Sequence, residues 1–254
     1  MNVSPSQIGI GRTRKRNLFA TVVEELGIRI VRGDLKPNEA FPNEAELGRE
    51  FGASRSVIRE AVKSLAAKGL IESRTRTGIR VLAPMHWNLL DVEVLAWRYS
   101  TMPPAQFYHE LFEIRLMIEP EAAFLAAQRA SQNEIAAIGN AYEGMAAASA
   151  AGASGTEKDL AFHRGILAAA QNPLLLQMGN LIAVGLHISH RISSESYTVF
   201  LPLHKKVLDA IAKHSPEAAR RAMHRLLAET LEFVSGHLRK PAEQARQRSA
   251  KAEA

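Results

Sequence analysis

Asp159-Leu160-Ala161-Phe162-His163 sets a carboxylate and an imidazole four residues apart. On a helix that spacing puts both on one face, where they can hold one ion. It also fits a capped or salt-linked pair at a surface. His204 opens another patterned run, His204-Lys205-Lys206-Val207-Leu208-Asp209-Ala210-Ile211, where a lone histidine is ordinarily a polar residue near solvent. Arg115 and Glu119 repeat the four-residue spacing. The planar guanidinium of Arg115 can grip an organic acid with two hydrogen bonds, or simply pair with Glu119. Earlier in the chain Arg55 and Arg59 are again four apart. Two arginines near the start of a helix suit the DNA major groove, where Arg donates twice to guanine O6 and N7. For an isolated helix a solvated basic face is the ordinary alternative.

The elements around Arg55 and Arg59 favour the DNA reading. Val57, Ile58, Ala61, Val62 and Leu65 form an apolar stripe, and Ser54 stands where an N-cap belongs. Asn43 to Phe51 reads as a short helix with an Asn43/Glu46 capping box, and Gly52-Ala53 supplies a tight turn. Helix, Gly turn, helix is a helix-turn-helix. Gly69 ends the second helix, and 70–73 and 79–82 read as two short strands. Arg74-Thr75-Arg76-Thr77-Gly78 is then a basic hairpin tip, a wing able to lie against phosphates or in the minor groove. Leu18 to Val31 is a preceding helix with Phe19, Val22, Val23, Leu26 and Ile30 buried.

Charge divides the chain. Residues 1–84 hold 15 Lys+Arg against 9 Asp+Glu, and the remainder holds 17 against 17. All of the net +6 therefore lies with the winged helix, the electrostatic footprint of a DNA-binding domain. All nine histidines lie beyond residue 84. There is no cysteine, which excludes disulfides and thiolate metal sites. No apolar run approaches the roughly 18 residues of a membrane span. Residues 1–17 are polar and basic without an apolar stretch, so they do not read as a secretory signal. A soluble, cytoplasmic protein is expected.

In order, 1–17 reads as a flexible basic arm, 18–84 as the winged-helix domain and 85–104 as a linker. Within the linker, residues 91–97 are expected to form a short helix that buries Trp97 between domains. Residues 105–238 read as an all-helical domain for effector binding and dimerisation, and 239–254 as a disordered polar tail. The expected helices run from Ala105 to Arg129, Ser131 to Ala150, Thr156 to Ala170, Leu174 to about Ser193, Leu203 to Lys213, and Ser215 to about Leu238, with a loop over 194–201. The fold class is mostly α: an N-terminal winged helix-turn-helix and a C-terminal helical bundle.

The spacing from Ile30-Val31-Arg32-Gly33 through Phe41-Pro42-Asn43-Glu44-Ala45-Glu46-Leu47, Ala53-Ser54-Arg55, Ile58-Arg59-Glu60-Ala61 and Gly69-Leu70-Ile71-Glu72 to Gly78 resembles the winged helix of GntR-type bacterial transcription regulators. The resemblance implies DNA contacts by Arg55 and Arg59, assisted by Ser54, Ser56 and the wing residues Arg74, Arg76, Thr77 and Gly78. Some relatives carry a further DNA-contacting Arg where this chain has Ala45, so an operator half-site does not transfer. A second set resembles the effector domain of the FadR-like (FCD) branch. It comprises Glu113-Ile114-Arg115, Ile118-Glu119-Pro120, Asp159 with Phe162-His163, Asn172-Pro173-Leu174, and His204 with Leu208-Asp209-Ala210-Ile211.

That second resemblance implies a divalent metal, often zinc or nickel, held by an Asp and three His. Asp159, His163 and His204 fill three places, and the fourth falls on Leu226, which cannot ligate. His224, two residues away, points elsewhere round the helix. The expected site is a three-ligand zinc site with positions open to an effector. Arg115 faces the same cavity in the family, and His187 and His190 are candidates to line it. The linker pattern Trp87-Asn88-Leu89-Leu90-Asp91 … Val94-Leu95-Ala96-Trp97 resembles family members that respond to sugar acids, a likeness that includes the incomplete ligand set. The expected function is a homodimeric repressor that binds a double-stranded operator, touches no membrane and is released by a small carboxylate such as a sugar acid. A metal-dependent hydrolase or lyase with a DNA-binding appendage is the alternative from another class. An architectural basic protein is poorly matched by the neutral, His-rich half.

Overall fold

The structure, a computed structural model, describes residues 17–252 except 38, 40, 75–77, 102–103, 180, 185 and 187–195. The chain forms two compact units, Met1–Pro103 and Pro104–Ala254.

In the first unit, α1 (Leu18–Arg32) starts at Asn17, whose side chain accepts from Phe19 N, and buries Val22, Val23, Leu26 and Ile30. α2 (Glu44–Phe51) begins with the expected capping box between Asn43 and Glu46. α3 (Arg55–Ala67) is capped by the Ser54 hydroxyl, and its Ile58, Ala61, Val62 and Leu65 pack against α1 and α2. Strands β1 (Ile71–Arg74) and β2 (Gly78–Val81) pair antiparallel, with Ile71 opposite Val81 and Arg74 opposite Gly78. Leu70, Ile71 and Val81 close the winged-helix core from below.

The linker belongs to this unit. Helix α4 (Val92–Thr101) is capped by the Asp91 carboxylate, which accepts from Glu93 N and Val94 N. Trp97, expected between domains, is instead 1% exposed within the winged-helix core, on α1. Its ring fits because residue 27 is glycine: a Cβ there would stand 2.4 Å from the indole. Lys68, after α3, pairs with Asp91 and Glu93 at 2.7 Å each and lies over the Trp97 ring. Trp87 Nε1 donates to Leu82 O, and Asn88 N donates to Lys68 O, so the approach to α4 is fastened as well. Gly69 is left-handed at φ 73°, with the His86 carbonyl only 2.3 Å from where a Cβ would be.

The second unit contains α5 (Pro104–Arg129), α6 (Gln132–Ala150), α7 (Thr156–Ala169), α8 (Pro173–Gln177), α9 (Ser196–Ala212) and α10 (Pro216–Ala252). Ser131 and Glu134 form the expected capping box on α6. α10 packs along α5 and α9, and α7 packs on α5 and α6. Three boundaries differ from expectation. The helix expected from Leu174 to Ser193 is interrupted by a turn on Met178, where α8 ends, and among the described residues 179, 181–184 and 186 are helical again. Within the loop expected over 194–201, residues 196–201 are instead the start of α9, which runs through Pro202 because Phe200 is buried edge-on against Phe233 of α10, 5.5 Å between centroids. The last helix continues to Ala252 where a disordered tail was expected.

Candidate functional site

Five ionisable side chains meet inside the second unit, none more than 4% exposed: Arg115, Glu119, Asp159, His163 and His204. α7 presents Asp159 and His163 one turn apart, α9 brings His204, and α5 brings Arg115 and Glu119. His204 Nε2 lies 3.1 Å and His163 Nε2 3.4 Å from Asp159 Oδ1. One ligand atom from each of Asp159, His163 and His204 lies within 4.8 Å of the others. Phe162 stands edge-on to both imidazoles and walls them from the side.

The outer partners decide which ring nitrogens face inward. His204 Nδ1 is 2.9 Å from Phe200 O, and His163 Nδ1 is 2.5 Å from Glu119 Oε2. A carbonyl or carboxylate oxygen only accepts, so both Nδ1 atoms carry the proton. In the neutral rings both Nε2 atoms then turn lone pairs towards Asp159. With neutral rings the cluster contains one guanidinium and two carboxylates, one positive charge short of balance. Burial makes that shortfall costly, so a proton or a cation belongs between Asp159 and the imidazoles. Burial opposes a charge on His163, but Glu119 and Asp159 outweigh it and push its pKa up to about 9. Burial likewise raises Glu119, but Arg115 and His163 hold it down at about 2. Two imidazoles and a carboxylate, each imidazole braced by an outer hydrogen bond, are a donor set that fits a divalent metal.

The fourth expected place is an apolar wall: Leu226 on α10 is 1% exposed. His224 is exposed and turned away, as its spacing implied. Arg115, expected as an open fork for a carboxylate, is engaged: its Nε donates to Glu119 Oε1 at 2.5 Å and its guanidinium lies over Phe112. His187 and His190 lie outside the described residues. Sequence reasoning missed the Glu119–His163 contact. The Arg115/Glu119 spacing was visible, but its bond to a residue 44 positions on is a product of α5 packing on α7.

On the first unit, Ser54, Arg55, Ser56 and Arg59 all stand on the exposed side of α3. The Ser54 hydroxyl meets both Val57 N and Ser56 Oγ. Arg59 Nε donates to Glu44 Oε2, the first residue of α2, at 2.9 Å, a contact not anticipated from the sequence. Gly78 opens β2, exposed. Arg76, Thr77 and the side chain of Arg74 lie outside the described residues. Among the described residues no helix is long and apolar enough to cross a membrane.

Residues 18–81 match the family described as bacterial regulatory proteins, gntR family, and residues 110–229 match the FCD domain. The chain is 33% identical over 215 residues to the uncharacterized HTH-type transcriptional regulator YieP of Escherichia coli K12, covering 84% of this chain and 94% of the relative. It is also 33% identical over 221 residues to the galactonate operon transcriptional repressor of the same strain, covering 82% and 92%. A solved Listeria monocytogenes protein, Lar, whose title says that it controls expression of the agr system, superposes with a TM-score of 0.62 at 21% identity, over 90% of this chain and 99% of that one.

Proposed function

The chain belongs to the GntR family, with an FCD domain, and is a DNA-binding transcription regulator; from that premise we propose that it is a homodimeric repressor released by a small carboxylate of the sugar-acid class. The hydrolase or lyase alternative falls, because both matched domains and the relatives at 33% identity are regulatory. Arg55 and Arg59 read base edges. Ser54 and Ser56 beside them, and Arg74, Arg76, Thr77 and Gly78 of the wing, meet the backbone. Two copies answer a palindromic operator, because protein symmetry mirrors the half-sites. The reaction compartment is the cytoplasm, where the chromosome lies.

The observation that carries the sensor reading is the buried cluster of Arg115, Glu119, Asp159, His163 and His204. Asp159, His163 and His204 would hold a zinc ion. When bound, such an ion supplies Lewis-acid sites for ligand oxygens. With Leu226 at the fourth place, a bound ion would keep positions open to a carboxylate, whose second oxygen would meet the guanidinium nitrogens of Arg115 beyond the Nε that Glu119 holds. His187 and His190 are further candidates to contact the effector. The relative that regulates a galactonate operon supports a sugar acid as the class to try first. Effector binding then shifts the population away from the state that fits both half-sites.

The experiment is fluorescence anisotropy of labelled DNA from the regions flanking this chain's gene. Aldonates, uronates and small hydroxy acids are added at fixed protein concentration. Release by one acid is expected. DNA binding that no acid in the panel weakens would overturn the repressor-and-inducer reading.

A further inference from the structure

The geometry points to Glu119 as the positioning residue of the metal site: it holds the His163 ring with Nε2 towards Asp159 and His204, and ties that ligand to Arg115. The inference rests on the metal reading above. Glu119 is 1% exposed, and its two oxygens are divided. Oε2 accepts from His163 Nδ1 and Oε1 accepts from Arg115 Nε, each at 2.5 Å. No water is needed to satisfy it, and the guanidinium keeps it an acceptor. A ring flip would exchange a carboxylate-bound Nδ1–H for a carbon and turn Nε2 away from Asp159, so the contact fixes both ring orientation and the nitrogen that ligates. Outer-shell carboxylates of this kind raise ligand basicity as well as orienting it. Because one side chain bridges Arg115 and His163, any anion that draws on the guanidinium also acts on the ligand. Coupling of acid and metal is therefore built into a single residue, and it is reciprocal.

The test uses the full chain and zinc alone, titrated against a chromogenic chelator. Glu119→Gln keeps the shape but weakens the acceptor, and should bind zinc about 10- to 100-fold more weakly. Glu113→Gln, one turn and a half earlier and exposed, should match the native chain. Native affinity in Glu119→Gln overturns the assignment. A second readout needs no variant. In the zinc-loaded native protein, nitrogen-15 NMR of the histidines should show His163 protonated at Nδ1 and metallated at Nε2, and metal on Nδ1 overturns the inference even if Glu119→Gln does not fold. Asp159→Ala separates the two levels. If it loses zinc while Glu119→Gln retains it, only the role of Glu119 fails. If the native chain and Asp159→Ala take up zinc alike, the metal reading fails and this inference with it.

Discussion

Arg59, the proposed reader of a base, is already held by a partner: it donates from Nε to Glu44 Oε2 at 2.9 Å. Arg55, a turn earlier on the same exposed face, is the second proposed reader. Replacing either by Ala should cost about 1–3 kcal/mol of operator affinity, as loss of a bidentate guanine contact does. Binding to unrelated DNA should change less, and a gel-shift titration with both DNAs separates the two. Equal operator affinity in Arg55→Ala would remove α3 from the recognition role. Inside the second unit, Glu119 has a folded pKa of about 2 against an ordinary 4.5. A lowered carboxylate contributes stability that is full above 4.5 and is lost as pH falls towards 2. His163, raised from 6.5 to about 9, has the opposite sign: its contribution is full below 6.5 and is lost as pH rises towards 9. Metal-free protein should therefore be most stable between these limits. Glu119→Gln should flatten the acid-side fall of stability in denaturant melts. At this scale the sequence was legible where spacing alone made a pair, as for Asp159/His163 and Arg55/Arg59. The contacts Glu119–His163 and Glu44–Arg59 were not, because they join helices through packing that no local pattern encodes.

Helix α4 rests on α1 through one aromatic ring and one missing side chain. Gly27→Val would drive a branched side chain into the Trp97 ring, 2.4 Å from the Cβ position. Overpacking of this kind costs about 1–3 kcal/mol. The chain's two tryptophans, Trp87 and Trp97, both belong to the first unit, so urea unfolding followed by their fluorescence reports this unit directly. The midpoint should fall in Gly27→Val, and an unchanged midpoint would mean that α4 does not depend on α1. The caps of α2, α3 and α6 were readable from Asn43, Ser54 and Ser131 because capping is local chemistry. The placing of Trp97 was not, because an apolar helix next to a predicted boundary can be buried on either side. The early start of α9 was hidden by Pro202, a strong local signal that burial of Phe200 overrides.

Across the molecule, charge and chemistry are segregated. The excess positive charge lies in residues 1–84, and every histidine lies beyond them. The first unit ends at Pro103 and the matched GntR region at residue 81, so the linker helix packs in the same unit as the winged helix. The most direct test of the sensor claim is a thermal melt of the native chain and of His163→Ala against aldonates and uronates, each with and without a chelator. The account predicts that one acid raises the melting temperature of the native chain, and that chelator or His163→Ala removes the shift. A shift of equal size in His163→Ala, or none from any acid, would contradict it.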